Sequence, residues 1–460
     1  MRLTLIFPCV GRYAGDRSYI RSWQMEPLAI ALLADLTPDD IELRFYDDRV
    51  EAIPFDEPTD MVAISIETYT ARRSYQIAAE YRERGVPVVA GGFHATLCPN
   101  EVACYVDAVI VGEAENQWAE VIDDARYGTL NTFYRSDGRP DLRDTRFDRS
   151  IFGNKRYMPV RLIEAGRGCH FVCDFCAVQS YYDASHKRRP LEAILREIHD
   201  TRKETKLYFF VDDNITSSFD EAKEFFRQLA AYDVKWVSQA SINAAHDEEF
   251  LELITQAGCQ ALLIGFESLE KEKLRAMNKQ FNSMRGGYEV AMANLDRYRV
   301  SLYATFIFGY DGDTAETFDQ ALEFACRHRF FMAAFNHLLP LPGTPLYNRL
   351  QRENRLLYDA WWLNPGYRFN TIPFRPNPLE PAELKRLCND ARKRFYAAGS
   401  IVRRFTNPVN RSNAFMARNF ALINLMMRHE VRQRNELPLG DLGWRGSLPL
   451  AESITSGARP

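Results

Sequence analysis

No run of about 18 apolar residues occurs in this chain, so no segment of it reads as a membrane-spanning helix. Neither sign of charge dominates: 58 lysines and arginines stand against 62 aspartates and glutamates, a net charge of −4 that gives no reason to expect a nucleic acid partner. A signal peptide is missing as well. Met1-Arg2-Leu3-Thr4-Leu5-Ile6-Phe7-Pro8 is too short for one and reads as a first strand. Phosphate-loop glycine signatures are absent. A disulfide framework is also lacking: Cys9, Cys98, Cys104, Cys259, Cys326 and Cys388 are scattered, as expected of a chain kept in a reducing cytoplasm. What remains is a globular composition, 46% hydrophobic and 26% charged, long enough for roughly two or three domains.

The three other cysteines are the strongest positive feature. They fall in Cys169-His170-Phe171-Val172-Cys173-Asp174-Phe175-Cys176, spaced CxxxCxxC. Thiolates are soft ligands for zinc, copper(I) or iron–sulfur clusters. Structural zinc takes four ligands, and His170 would have to be the fourth. Three thiolates in one tight loop suit instead a cubane cluster with one iron open to a ligand. The loop, with aromatic Phe175 before its last cysteine, closely resembles the cluster loop of the radical S-adenosylmethionine (radical SAM) superfamily. The resemblance implies that Cys169, Cys173 and Cys176 hold a 4Fe-4S cluster whose open iron chelates S-adenosylmethionine. It further implies that an electron from an external flavodoxin- or ferredoxin-type donor cleaves the sulfonium to a 5′-deoxyadenosyl radical.

Upstream, short apolar runs alternate with helical patterns. Leu3–Phe7, Ile41–Tyr46, Met61–Ser65, Val86–Ala90 and Ala108–Val111 read as strands, and Pro27–Leu36 and Tyr75–Arg84 as helices. Continuous apolar strands between helices predict a doubly wound parallel sheet, which binds ligands at the carboxyl ends of its strands. Those ends read Gly91-Gly92-Phe93-His94-Ala95-Thr96 and Val111-Gly112-Glu113-Ala114-Glu115. This pattern resembles the cobalamin-binding domain that precedes many radical SAM domains. By that resemblance Gly91 and Gly92 let backbone approach the cofactor, and Ser65 and Thr68 bond its nucleotide tail. Gly112 and Glu113 belong to the same rim. The DxHxxG motif whose histidine ligates cobalt is replaced by Asp47-Asp48-Arg49-Val50-Glu51-Ala52, so no histidine ligand exists there. His94 reads as a loop residue touching the tail or the backbone rather than as a substitute ligand.

Downstream, six strand–helix units predict a partial (β/α)6 barrel of the TIM type, with chemistry at the carboxyl ends of its strands. Val211-Asp212-Asp213-Asn214 ends the second strand, where the superfamily holds the methionine amino group; acceptors suit an ammonium, though an Asx turn or helix cap reads equally well. Gln239 and Ser241 end the third and are expected to line the substrate cavity. Glu267, ending the fourth, is expected at the ribose hydroxyls, or as a carboxylate favoured at a helix N-terminus. Phe308 and Gly309, ending the fifth, lie where the family places adenine.

The expected division is residues 1–135 as a Rossmann-like domain, 136–155 as a linker, 156–345 as the barrel, 346–435 as a mainly helical region and 436–460 as a poorly ordered tail. Residues 392–404 are locally basic, and the helix from Ala414 to Met427 carries Arg418 opposite an apolar side: a helix packed on the barrel, or a lid or docking surface for an anionic or apolar substrate. The whole resembles a cobalamin-dependent radical SAM enzyme, most of which methylate carbon or phosphorus. That implies transfer of a methyl group from methylcobalamin to an unactivated carbon of a small molecule after hydrogen removal. Radical cyclisation on the same scaffold and a non-catalytic sensor are the rival readings. A methylthiotransferase would need a second cysteine set, which Cys9, Cys98 and Cys104 do not form.

Overall fold

Two parallel sheets, each of six strands, dominate the computed structural model, which describes residues 1–15, 24–283, 286–430 and 436–448. In the first sheet the spatial order is Glu42–Asp47, Arg2–Phe7, Met61–Ser65, Val88–Gly91, Ala108–Val111 and Phe133–Arg135. All pairs are parallel. The chain runs to one side of its first strand and then returns to the other, which makes a switch point where crossovers diverge and leave a crevice. The strands are apolar because both faces are covered: Leu3, Leu5, Met61 and Val62 have no exposure, and each such side chain contributes roughly 2 kcal/mol by leaving water. The last strand, Phe133–Arg135, was not expected from the sequence; three residues are too few to show a period.

The second sheet runs in chain order through Arg161–Ile163, Tyr208–Phe210, Trp236–Ala240, Cys259–Glu267, Ser301–Phe308 and Met332–His337, every pair parallel. Helices such as Leu191–Thr201, Phe219–Leu229, Glu248–Gln256 and Ala315–Arg327 separate the strands. Here the strands alternate. Along Ser301–Phe308, Leu302, Ala304, Phe306 and Phe308 are buried, while Tyr303, Thr305 and Ile307 are only half-buried. The buried set packs on the helices, as Phe308 on Phe318 (ring centroids 3.9 Å) and Phe266 on Tyr288 (4.7 Å). The other set faces the barrel interior.

Helices Pro381–Phe395, Ala398–Phe405 and Ala414–Glu430 follow the barrel. The start of the expected tail departs from expectation: Gly440–Asp441 pairs in parallel with Gly11–Arg12, Leu439 is 2% exposed, and Trp444 donates to Glu80 at 2.8 Å. This segment is held by partners more than 300 residues away, which local composition does not reveal. Residues 449–460 lie outside the described residues. Among the described residues no helix is long and apolar enough to cross a membrane.

Candidate active site

Glycines bring the cysteine loop to the mouth of the barrel. After Arg161–Ile163 the chain forms a short strand, Gly166–Gly168, antiparallel to His186–Arg188. A Cβ on Gly166 would lie 2.8 Å from His186 Nε2, and one on Gly168 2.0 Å from Ser185 O, so the hairpin closes only on glycine. Glycines do not display strand propensity, so the sequence does not announce this strand. Cys169 follows directly. Cys173 is buried, Cys169 and Cys176 half-buried, and burial pushes the Cys173 thiol up to about 12 in the absence of metal charge. Among the described residues only His94, Cys98 and Glu101 bring three potential ligand atoms within 4.8 Å of one another. Three thiolates in one short loop are the donor set of a 4Fe-4S cluster with one iron left open, and a fourth ligand that would close a zinc site is not among them.

The loop is pinned from below. Asp174 accepts from Tyr310 and lies 3.4 Å from Arg349, its N–H donates to Met277 O at 3.2 Å, and its carbonyl accepts from Leu346 N at 2.9 Å. Phe171 stacks on Phe281 at 3.8 Å, and Phe175 packs against the barrel core. Asp174 was not singled out from sequence: an aspartate between cysteines looks like an ordinary loop residue.

The strand ends hold the other expected residues, with changes of role. Asp212 Oδ2 accepts from Ala165 N at 3.0 Å, and Asp213 Oδ2 from Gly168 N at 2.8 Å, so both carboxylates support the backbone leading to Cys169. Asp212 Oδ1 is buried without a partner, and burial raises the carboxyl to about 7. Asn214 turns Oδ1 to Ser241 N (3.0 Å) and Nδ2 to Cys169 Sγ (3.8 Å). Gln239 Nε2 approaches Asp212 O at 3.4 Å, and Ser241 Oγ lies 3.2 Å from Thr216 Oγ1. Glu267 sits at φ +58°, a strained position for a side chain, beside a register shift in the sheet. Its Oε1 accepts from Lys279 Nζ at 2.6 Å, a partner the sequence reading missed. Phe308 is corrected: period two turns it to the helices, and half-buried Ile307 faces the interior instead. Gly309 keeps its place at the strand end, at φ +113° with its N–H donating to Asp313 Oδ2 at 2.7 Å.

Across from this mouth, the carboxyl ends of the first sheet open a cleft of about 230 Å3. Ser65, Gly91, Gly92, Gly112 and Glu113 line it, with Trp118 on its apolar wall. A Cβ on Gly92 would meet Ile66 O at 2.9 Å, whereas one on Gly91 meets nothing nearer than 3.8 Å; Gly92 is glycine for the turn, and Gly91 leaves room for a ligand. Thr68 and His94 are corrected: neither lines this cleft. His94 is fully buried, with Nδ1 3.3 Å from Thr68 Oγ1 and Nε2 3.1 Å from Glu101 Oε1. Glu101 also accepts from Tyr75 (2.7 Å) and Trp362 (3.0 Å), which makes a satisfied buried network rather than an open coordination sphere. Asp48, near the place of the missing cobalt histidine, is spent on Arg73 at 2.8 Å. A larger cavity of about 1010 Å3 lies beyond this network, between Arg72, Tyr347, Tyr358, Trp362 and Trp444.

The cleft and the cysteine loop touch. Phe93, next to Gly92, stacks at 4.3 Å on Tyr181 in the helix Ala177–Tyr182 that leaves Cys176. Arg139 lies over Tyr182 at 4.4 Å and donates to Glu113 at 2.8 Å. Arg167, two residues before Cys169 and 6% exposed, reaches Glu113 (3.1 Å), Glu115 and Glu164 (2.8 Å). Nothing in the sequence marked Arg167 or Tyr181, since Phe93, Glu113 and Glu115 lie more than 50 residues away in the chain.

Comparison with known proteins agrees with this geometry. The family model for the radical SAM superfamily matches residues 163–325, and that for the B12 binding domain matches residues 24–122. The chain is 29% identical to bacteriochlorophyllide d C-12(1)-methyltransferase of Chlorobaculum tepidum, over 84% of this chain and 86% of that protein. It is 27% identical to the C-8(2)-methyltransferase of the same organism, over 73% and 78%. The anaerobic magnesium-protoporphyrin IX monomethyl ester cyclase of Cereibacter sphaeroides is more distant, at 25% over 76% and 68%. Among solved structures, the radical S-adenosylmethionine methyltransferase TsrM from Kitasatospora setae, with cobalamin and a 4Fe-4S cluster bound, shares the fold with a TM-score of 0.63. The identity is 15%, covering 94% of this chain and 99% of that one.

Proposed function

Since the chain belongs to the cobalamin-dependent radical SAM family, as a C-methyltransferase that uses a 4Fe-4S cluster, S-adenosylmethionine and cobalamin, we propose that it methylates an unactivated carbon of a small molecule held between cleft and cysteine loop. The observation that carries this reading is the contact of the two regions through Phe93–Tyr181 and Arg167. The acceptor as carbon is supported by two relatives named for methyl transfer to bacteriochlorophyllide d at numbered carbons. When bound, the cluster supplies the electron that generates a hydrogen-abstracting radical from S-adenosylmethionine, and cobalamin carries the methyl group.

The chain's own residues hold, orient and exclude. Cys169, Cys173 and Cys176 are the iron ligands, and the Asn214 amide directs an N–H at the Cys169 sulfur, a contact that tunes potential. Asp213 holds Gly168 so that Cys169 enters the loop in one geometry. Asp212 Oδ1, buried and unpartnered, is the acceptor left for an ammonium at the strand end. Glu267, Gln239, Ser241 and the backbone of Gly309 border the same space. Gly91 and Gly112 would let the backbone approach cobalamin at the strand ends, and the stacked Phe93 and Tyr181 would exclude water where a radical has to survive. An external flavodoxin- or ferredoxin-type donor completes the reaction.

Reconstituted protein, incubated anaerobically with methyl-deuterated S-adenosylmethionine and bacteriochlorophyllide d as a first acceptor, tests the reading. Label in the product supports methyl transfer. 5′-Deoxyadenosine with an altered but unlabelled product moves the assignment to a cyclase. Absence of 5′-deoxyadenosine above a Cys173→Ala control removes the radical reading.

A further inference from the structure

A basic and apolar surface lies at the opposite end of the barrel from the cysteines. Between residues 391 and 429 there are eight arginines and lysines and no aspartate or glutamate, in a chain whose net charge is −4. Helices Ala398–Phe405 and Ala414–Glu430, joined by a turn at Val409–Arg411, build this segment. Their inner face is anchored: Ile401, Met416 and Phe420 pack on Phe331 and Met332, and buried Arg404 donates to Phe330 O and Phe331 O at 3.1 Å. The outer face is left exposed by the described residues. Val402 is 67% exposed, Leu422 55%, Leu425 58% and Phe405 37%, four of the nine large exposed hydrophobics among the described residues. Arg418, Leu422 and Leu425 follow at helical spacing, with Arg428 one turn beyond Leu425, so charge and apolar bulk share one stripe. Phe405 leans on Phe420 (5.6 Å), which sets the Val402–Phe405 stripe beside it. Arg403, Arg411, Arg418 and Arg428 are exposed, and no ion pair is recorded for them among the described residues, whereas Arg394 is tied to Asp319 and Lys393 lies 3.7 Å from Asp390.

The position narrows what this face meets. Val409 O accepts from Ser301 Oγ (3.5 Å), Asn413 lies 3.4 Å from Gln260, and Lys235 Nζ is 6.0 Å from the centre of the Phe415 ring. Lys235, Gln260, Ser301 and Phe331 all lie at the amino ends of barrel strands. An eight-residue strand, roughly 25 Å, therefore separates the patch from the cysteine loop. A protein donating an electron to the cluster gains nothing by docking here. A symmetric second copy would set these arginines against themselves. An anionic bilayer surface satisfies both components at once: arginines to headgroups, Val402, Phe405, Leu422 and Leu425 into the interface.

We propose that the helical pair 398–430 is a peripheral docking surface for anionic lipid, which lays the enzyme on a membrane by the closed end of its barrel. The test uses the full-length reconstituted protein and co-sedimentation with vesicles of phosphatidylcholine or of an equimolar phosphatidylcholine–phosphatidylglycerol mixture. The expected result is partition into the anionic vesicles alone, weakened by salt. The Arg418→Gln/Arg428→Gln pair lowers it about thirtyfold, and the Leu422→Ser/Leu425→Ser pair about tenfold. Unchanged thermal midpoints and 5′-deoxyadenosine formation in both pairs separate loss of docking from loss of fold. The proposal is overturned by equal partition into neutral vesicles, no partition at all, variants that bind like the parent, or a dimer in light scattering that the leucine pair dissolves. Slower reduction by flavodoxin in the arginine pair, with vesicle partition intact, overturns it in favour of a redox partner.

Discussion

Gly91 and Gly92 are neighbours with different reasons to be glycine, and substitution separates them. Gly92→Ala forces a side chain to φ +101° against the backbone of Ile66, so it lowers stability by about 1–3 kcal/mol in thermal unfolding, with or without cofactor. Gly91→Ala has 3.8 Å of clearance, leaves the apoprotein's melting unchanged, and lowers the corrin absorbance retained after gel filtration if Gly91 faces the cofactor. His337 gives a pH signature. Burial and the nearby Arg392 and Lys385 push its pKa down to about 3, so the folded state keeps it neutral while the unfolded state protonates it near pH 6.5. Stability contributed by neutral His337 is thus full above pH 6.5 and is lost as pH falls from there towards 3. A His337→Gln variant melts with a shallower decline between pH 6.5 and 5 than the parent; equal slopes remove this assignment.

The hairpin Gly166–Gly168/His186–Arg188 joins the two cofactor regions, because Arg167 projects from it into Glu113, Glu115 and Glu164. Removing one member of such a buried network leaves the others uncompensated, at a cost of about 3–5 kcal/mol. Arg167→Met therefore lowers the thermal midpoint and reduces the iron retained per chain, although no cysteine changes. Arg167→Lys restores charge without the fork and rescues only part of both. A variant with full iron and wild-type melting shows that the hairpin holds the loop without its arginine.

The described end of the chain closes the molecule on itself: residues 436–448 join the first strand's exit to the helix Ala71–Glu83 through Gln76, Asp441, Glu80 and Trp444. A chain ending at residue 435 melts several degrees lower, yet still forms 5′-deoxyadenosine, since these contacts lie away from the cysteine loop. Much of the molecule was legible beforehand. The apolar strands, the six barrel units and the CxxxCxxC loop all declare themselves locally, because strand burial and soft-metal ligation each need particular residue types at short, fixed spacing. So do the glycines of the cleft. Tertiary structure decided the rest. It turned Phe308 away and Ile307 inward, withdrew His94 and Thr68 into a buried network, gave Glu267 its lysine, and put Arg167 against Glu113 and Tyr181 against Phe93. These outcomes depend on the register of a strand or on partners far away in the chain, and neither is written in the order of neighbouring residues.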